Sequence, residues 1–511
     1  MQSSIQASTA ASVRAVCQHT GGIDRARLTP RSLLWNKRIR TQCMHRRQSR
    51  RTHIIAMAGQ NGGSPEQALV IGAGVAGLSC GLRLQKAGIP FTILESSDGP
   101  GGRVRSDKVE GFTLDRGFQI FLTSYPEAKE VLDYGDLDLK PFYAGAFVHY
   151  NNQFHKVADP LRHPLDGVQS LFNSTGTIGD KVNVGAFRIK SELGSLEDLL
   201  QRDETTTMER LKKEGFTDAI IDRFFKPFLG GIFFDKELNV TSRLFEFVMR
   251  MLASGENSLP ANGIGAISEQ MASALPAGSI RTGAKVMEVT SSDTESPPEV
   301  TLEDGSKMTA KRGIVVATDQ PSAAKLLGQH LDSSPSKEGK GRGTCNLYFK
   351  TSQKPPHGNV LYLNGTGSGL VNNACFPSSV APSYAPSGQH LVSVSIIGSH
   401  DDMTDDALSS AVHQEMSHWF GANQTDDWKL LRVYRVPFAQ PNQEPPTDLM
   451  RPVQLGGRLY VCGDHRDHAT LDGALKSGRR AAEALIADTV QETTSHGAPS
   501  EPVTVDQTEL A

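Results

Sequence analysis

Cysteine is scarce in this chain of 511 residues. The six that occur (Cys17, Cys43, Cys80, Cys345, Cys375 and Cys462) are scattered, and none forms a C-x-x-C pair. That spacing offers no disulfide framework, no zinc site and no redox-active dithiol, so the thiols read as reduced and structural. Long apolar runs are missing too. Nothing approaches the roughly 18 consecutive apolar residues of a spanning helix, although docking on a membrane surface stays open. No H-x-x-x-H or carboxylate grouping points to a metal, and no internal repeat is visible. What is present is 49 glycines, 38% apolar residues and 21% charged residues. This profile suits an α/β protein rich in tight turns, with chain enough for two or three units of ordinary size.

Charge is unevenly spread. Residues 1–57 carry 11 Lys or Arg and a single acid, Asp24, which leaves 42 basic and 55 acidic residues in the remainder, a net of −13. A basic, acid-poor, Ser/Thr-rich leader without an apolar core has the composition of an organelle transit peptide. The Ile54-Ile55-Ala56-Met57-Ala58 stretch resembles a stromal processing site, so a plastid is expected ahead of a mitochondrion. Read as a nucleic-acid arm, the leader lacks interleaved aromatics and precedes an acidic body. No nucleic-acid partner is expected.

After the leader, Gln67–Ile71 is a short apolar run followed by glycines. Val75, Leu78 and Leu82 then fall on one helical face that Gly88 can end, and Phe91–Leu94 is a second apolar run ending at Glu95. This β–loop–α–β order is the first unit of a dinucleotide fold. Lys285–Thr290, Val300–Glu303 with Asp304-Gly305 as a turn, and Ile314–Ala317 read as strands. Arg458–Cys462 reads as a strand, and Ala474, Leu475, Gly478, Ala482 and Leu485 mark a closing helix. The stretches between differ. Phe224, Phe225, Phe228, Phe233 and Phe234 crowd one region, and Leu244, Phe245, Val248, Met251 and Leu252 fall at helical spacing. These read either as core or as an apolar substrate chamber or membrane-docking face. The expected fold is α/β, a Rossmann-type cofactor domain (67–145, 260–345 and 450–488) interleaved with an α+β substrate domain (146–259 and 346–449). A polar, aperiodic tail over 489–511 is expected to be disordered.

Each glycine of Gly72-x-Gly74-x-x-Gly77 has a physical task. The first allows the turn out of the strand, the second lets backbone approach a pyrophosphate, and the third lets helix pack against strand. The diphosphate meets the N–H groups of Val75 and Ala76 at the positive helix end. Glu95, placed after the second strand, can accept from a ribose hydroxyl and repels a 2′-phosphate, with Ser96 beside it. NAD and FAD share this fingerprint. The following Gly101-Gly102-Arg103 permits a second close backbone approach and brings an arginine able to balance diphosphate charge; a plain surface turn is the simpler alternative.

The stretch IGAGVAGLSCGLRLQKAGIPFTILESSDGPGGRVRS resembles the FAD signature of the flavin amine oxidase and phytoene desaturase superfamily. Phe112–Gln119 is similar to that family's next strand, and Leu259–Ile267 to its proline- and glycine-rich entry to a helix. Lys285-Val286 is similar to the strand whose backbone contacts adenine. Val461-Cys462-Gly463-Asp464, with Leu471-Asp472-Gly473-Ala474, resembles the C-terminal flavin motif. The resemblance spans 67–488 and implies FAD as cofactor, with Gly72, Gly74, Val75, Ala76, Gly77, Glu95, Ser96, Gly102, Arg103, Val286, Gly463, Asp464, Leu471 and Ala474 around it. It also implies a helix end that stabilises negative charge on the reduced flavin.

Thr470 stands where amine-oxidising relatives carry a tyrosine of an aromatic cage, so the default amine substrate is put in doubt. No catalytic residue is assigned; Lys350 and Lys354 lie in no motif. His465, Asp467 and His468 lie close to the flavin motif and are either acid–base groups or hydrogen-bonding partners of the cofactor or of the loop itself. Gly365-x-Gly367-x-Gly369 has the wrong spacing for a second dinucleotide site. The expected activity is oxidation, desaturation or isomerisation of a lipophilic small molecule such as a carotenoid or other isoprenoid, with oxygen or a quinone as electron acceptor. An amine or amino-acid oxidase is the alternative, and a flavin-free lipid-binding relative, like the prenylated-GTPase dissociation inhibitors, a third.

Overall fold

A computed structural model describes residues 67–170, 173–291, 296–331 and 341–495. The basic leader, Cys17 and Cys43 lie outside the described residues.

The site rests on a six-stranded sheet. Its order is Ile280–Arg281, Phe91–Leu94, Ala68–Ile71, Gly313–Val316, Leu459–Val461 and Gln454–Gly456, parallel throughout except for the last pair. Ala68–Ile71 is buried at every position. A strand covered on both faces must read as a continuous apolar run, which is why the period-2 pattern is absent there. The helix Val75–Lys86 follows and returns the chain to Phe91–Leu94 on one side of the first strand, while Gly313–Val316 pairs on the other. The crevice at the carboxyl end of Ala68–Ile71 is therefore a topological switch point, the place where open α/β sheets take ligands.

A seven-stranded sheet draws on the intervening sequence. Its order is Lys429–Gln440, Arg342–Thr351, His390–Ile397, Val371–Cys375, Leu361–Asn364, Gly145–Tyr150 and Gln153–Ala158. It is antiparallel apart from the Leu361–Asn364 and Gly145–Tyr150 pair. Helix Lys226–Phe233 lies on its face, with Gly231 directly against Asn372 and Asn373. The crowded phenylalanines divide between the two readings made of them. Phe225 and Phe233 are buried core, while Phe228, Phe233 and Phe234 wall a cavity.

The closing helix, Leu471–Ser495, crosses Val75–Lys86 closely, and a Cβ on Gly478 would lie 2.1 Å from the Ala76 carbonyl oxygen. Ser79 Oγ donates to the Leu475 carbonyl at 2.8 Å and joins the same two helices. The helix continues through Ser495, so the expected tail begins later than residue 489. The remainder of the tail lies outside the described residues. Among the described residues, no helix is long and apolar enough to cross a membrane.

Candidate cofactor and substrate cavity

Gly72 leaves the first strand with φ +102°, and a Cβ there would sit 2.8 Å from the Ala317 carbonyl oxygen. Only glycine fits both the angle and the space. A Cβ on Gly77 would lie 2.0 Å from the Gly72 carbonyl oxygen, so the helix start is pressed onto the strand end. Gly74 faces open space, and as N-cap it lends no side chain to the helix. The first-turn N–H groups thus lack side-chain partners and are available to an anion, which is the chemistry a diphosphate requires.

The second loop docks on the first. Gly101 N donates to the Ala73 carbonyl at 2.8 Å, and Gly74 and Gly101 form a parallel bridge. Glu95 ties both to the sheet, with Oε2 accepting from Ala73 N and Oε1 from Ser97 N, each at 2.8 Å. A carboxylate has about four lone-pair directions, so Glu95 retains capacity for a ribose hydroxyl.

Arg103 joins the two ends of the chain. Its Nη1 and Nη2 donate to Asp464 Oδ2 and Oδ1, both at 2.8 Å, and Nη1 also donates to the Ala439 carbonyl at 2.6 Å. Burial works to lower the guanidinium pKa, and Asp464 outweighs it and holds the value above the ordinary one. This fork cancels the charge on Asp464, which would otherwise repel a diphosphate in the same crevice.

The closing helix aims its N-terminus at the cavity. Gly473 N donates to Thr470 Oγ1 at 3.1 Å, so Thr470 is the side-chain cap. Tyr125, another lining residue, hydrogen bonds Thr470, and burial pushes its hydroxyl pKa well up. Asp472, in the first turn, accepts from Glu127 N at 2.8 Å and Ala128 N at 3.1 Å, capping helix Pro126–Val131 from another part of the chain. Burial raises its carboxyl to about 7 against those two bonds.

These parts surround a cavity of about 500 Å³, within the range of ordinary ligand pockets. Of the residues expected around the cofactor, Gly72, Gly74, Val75, Ala76, Glu95, Ser96, Gly102, Arg103, Gly463, Asp464, Leu471 and Ala474 line it. Gly77 lies behind it as packing. Val286 is not brought to the cavity. It belongs to a separate three-stranded sheet and pairs with Leu302, so its side chain packs in the core beneath that sheet.

His465, Asp467 and His468 do not line the cavity. Burial lowers both imidazoles to about 4, His465 despite Asp464 and His468 despite Asp467. His468 lies 4.1 Å, centroid to centroid, from Phe247 and bonds Thr470 at 2.9 Å, while Asp467 pairs with Lys476 and Arg480. His468 and Asp467 are thus bound within the loop and its neighbours, whereas neither ring nitrogen of His465 has a hydrogen-bond partner among the described residues. Lys350 pairs with Glu110 away from the cavity. The Gly365–Gly369 turn is held by Asn364, whose Nδ2 donates to the Ser368 carbonyl at 2.7 Å, and by Glu415.

Residues absent from the sequence-based set complete the wall. Thr318 and Asp319 follow strand Gly313–Val316, where the carboxyl-end rule for parallel strands could have found them. Tyr125, Asn373 and Gln440 carry no local signal, because the partner elements alone decide which way they face. The apolar part of the wall includes Phe118, Ile120, Phe228, Ile232, Phe233, Leu361 and Leu363. Its charged residues are Glu95, Arg103, Arg116, Asp319 and Asp464, and it contains no lysine or histidine.

Comparison with known proteins matches a family model described as flavin containing amine oxidoreductase over residues 75–486. The chain is 22% identical over 467 residues to the chloroplastic/chromoplastic 15-cis-phytoene desaturase of Glycine max, covering 83% of this chain and 80% of that protein. It is 37% identical to the lycopene-forming phytoene desaturase of Pantoea ananas, but over 98 residues, 16% of this chain and 20% of that one. The structure of an oxidoreductase from Methanosarcina mazei superposes with a TM-score of 0.62 at 16% identity, covering 82% of this chain and all of that one. At that identity the likeness speaks for the fold.

Proposed function

Because the chain belongs to the family of flavin-containing amine oxidoreductases, matched over residues 75–486, we propose that it is an FAD-dependent enzyme acting on a lipophilic small molecule. That it is a flavin-dependent oxidoreductase follows from the family; the dinucleotide form, the substrate and the setting are the reading offered here. The observation that carries it is the sorting of the cavity wall. Glu95, Arg103, Asp319 and Asp464 come from the loops at the carboxyl end of the parallel sheet, and the remaining wall is mainly apolar, with Arg116, Thr344, Asn373 and Gln440 among its few polar points. For a charged amine, the aromatic cage is incomplete at Thr470, and among the described residues no lysine or histidine lines the cavity. A carotenoid or another isoprenoid has the surface that Phe228, Ile232, Leu361 and Leu363 match.

When bound, the flavin supplies acceptance of a hydride or electrons from the substrate. The protein's own residues divide the remaining work. The N–H groups at the start of helix Val75–Lys86, which no side chain caps, would hold the diphosphate, and Glu95 would hold the ribose. Arg103 keeps Asp464 neutralised, and the Thr470-capped helix presents positive potential where the reduced cofactor gains negative charge. The phenylalanines keep water from the reacting face. Oxygen or a quinone is the proposed electron acceptor.

The proposed setting is a plastid, addressed by the basic leader, with the body resting on a membrane surface. Ten large apolar side chains are markedly exposed among the described residues, and seven of them (Leu161, Leu165, Val168, Ile178, Val182, Ile189 and Leu193) lie within 33 residues of sequence. A cluster this local supports one docking face instead of scattered exposure.

Aerobic turnover tests the reading. The purified protein, supplied with FAD, is expected to convert at least one member of an isoprenoid and porphyrinogen panel and to release no peroxide with mono-, di- or polyamines. Peroxide release with an amine, and inertness to every lipophile, would reverse the assignment.

A further inference from the structure

The strand Val371–Cys375 places two asparagines side by side, and in a regular strand they would face opposite sides of the sheet. They do not. The pairing with His390–Ile397 shifts register between Val371 and Asn373, and this bulge turns Asn372 and Asn373 toward helix Lys226–Phe233. A Cβ on Gly231 of that helix would lie 2.7 Å from Asn372 Nδ2 and 3.1 Å from Asn373 Oδ1. Bulges that re-aim side chains concentrate beside functional sites.

The hydrogen bonds leave no ambiguity in how the two amides are turned. Asn372 Nδ2 donates to the Pro227 carbonyl at 2.9 Å, and a carbonyl can only accept. Its second proton goes to Asn373 Oδ1 at 3.0 Å. The oxygen of Asn373 is thereby engaged, and its Nδ2 is a donor for which no described residue is an acceptor. Asn373 is 5% exposed, and what it faces is the cavity, beside Phe228, Leu361 and Leu363. The same helix orients a second amide: Gln440 Nε2 donates to the Ile232 carbonyl at 2.9 Å, which leaves its Oε1 as an acceptor on the same cavity. The free donor is reached from the cavity, so a ligand there can complete it.

We propose that Asn373 is a specificity-determining residue that donates a hydrogen bond to an oxygen on the substrate, so that the enzyme prefers an oxygen-bearing lipophile (a ketone, an aldehyde or an alcohol) over the matching hydrocarbon. This rests on the lipophilic-substrate reading above and narrows it. Sites that hydrogen bond a substrate oxygen discriminate against analogues lacking it, because the site's own polar group is then left unpaired.

The test is a binding titration of the flavin-loaded full chain, read as perturbation of the flavin absorption band, with farnesylacetone and the hydrocarbon farnesene as probes. Wild type is expected to bind the ketone about tenfold more tightly, the value of one ordinary hydrogen bond. Asn373→Leu should abolish that preference while binding farnesene at least as well. Asn373→Asp, which keeps the shape and loses the donor, should also lose it, and serves if the leucine variant fails to fold. Equal binding of both probes by wild type, or a preference that survives both substitutions, overturns the proposal and leaves the parent reading standing. So does a change in flavin affinity or spectrum in the variants without any probe, which would make Asn373 a cofactor contact. Failure of both probes to perturb a bound flavin would sink the parent reading and this one with it.

Discussion

At the residue scale, the Arg103–Asp464 fork carries the most weight, because it joins positions 361 residues apart on the cavity rim. Arg103→Ala leaves Asp464 buried without its counter-charge. Breaking such a pair costs about 2–3 kcal/mol of stability where one partner is partly exposed. The variant should lose flavin on gel filtration while Asp464→Asn keeps more of it, since the amide needs no counter-charge. Asp472 gives a pH signature. Its folded value is about 7 against an ordinary 3.8, so between those limits the unfolded chain releases a proton that the folded chain keeps. Stability from this group therefore falls as pH rises from 4 to 7, and no further above it. Asp115, raised by burial to about 6, acts in the same direction over a narrower span. Asp472→Asn retains an oxygen for Glu127 N and Ala128 N. Its melting temperature should exceed that of wild type by an amount that grows from pH 4 to pH 7, equivalent to about 1–3 kcal/mol at about 1.4 kcal/mol per pKa unit. A difference that is flat with pH would contradict the protonation proposed for Asp472.

At the element scale, the helix Ile178–Ser191 has two apolar sides. One packs Phe187 flat against Phe245 at 5.3 Å, and the other leaves Ile178, Val182 and Ile189 exposed at helical spacing, with Leu193 just beyond. The buried side leans on helix Ser242–Ser254, which lines the cavity with Val248 and Leu252. The exposed side would thus bring a membrane close to the chamber. Val182→Glu combined with Ile189→Glu should reduce co-sedimentation with lipid vesicles severalfold and leave the unfolding free energy within about 1 kcal/mol of wild type, as surface changes do. Unchanged co-sedimentation would remove this face from the docking role. Elements were legible where their cause is local. The run at Ala68–Ile71, the helix after Gly74 and the turn at Asp304-Gly305 follow from steric rules acting within a few residues. The bulge at Asn372 does not, because register is decided by the strand opposite. The helix continuing to Ser495 escaped notice for a related reason: its last turns carry no apolar period.

At the scale of the whole molecule, the glycine-loop end of the cavity is legible in the sequence and the apolar end is not. Glycines that must pass under a diphosphate leave a fixed spacing, and Gly72–Gly77, Gly101–Arg103 and Gly463-Asp464 are such spacings. Val286 is expected from a resemblance in which the strand's backbone makes the contact, and its packing in a separate core concerns the side chain alone. The substrate wall is assembled from helix Lys226–Phe233 and four strands of the seven-stranded sheet, and no spacing within one segment encodes which of their side chains converge. Thr470 lies between the two cases: it was legible as a departure from the amine-oxidase pattern, and the structure adds that it caps the closing helix.

The central claim is that one cavity holds a flavin and a lipophilic reductant together, and anaerobic titration tests it most directly. Purified protein carrying stoichiometric FAD should lose its visible flavin band on addition of an isoprenoid substrate and regain it on admission of oxygen or a quinone. A band that no isoprenoid bleaches but an amine does, or a protein that binds no flavin at all, would contradict the account.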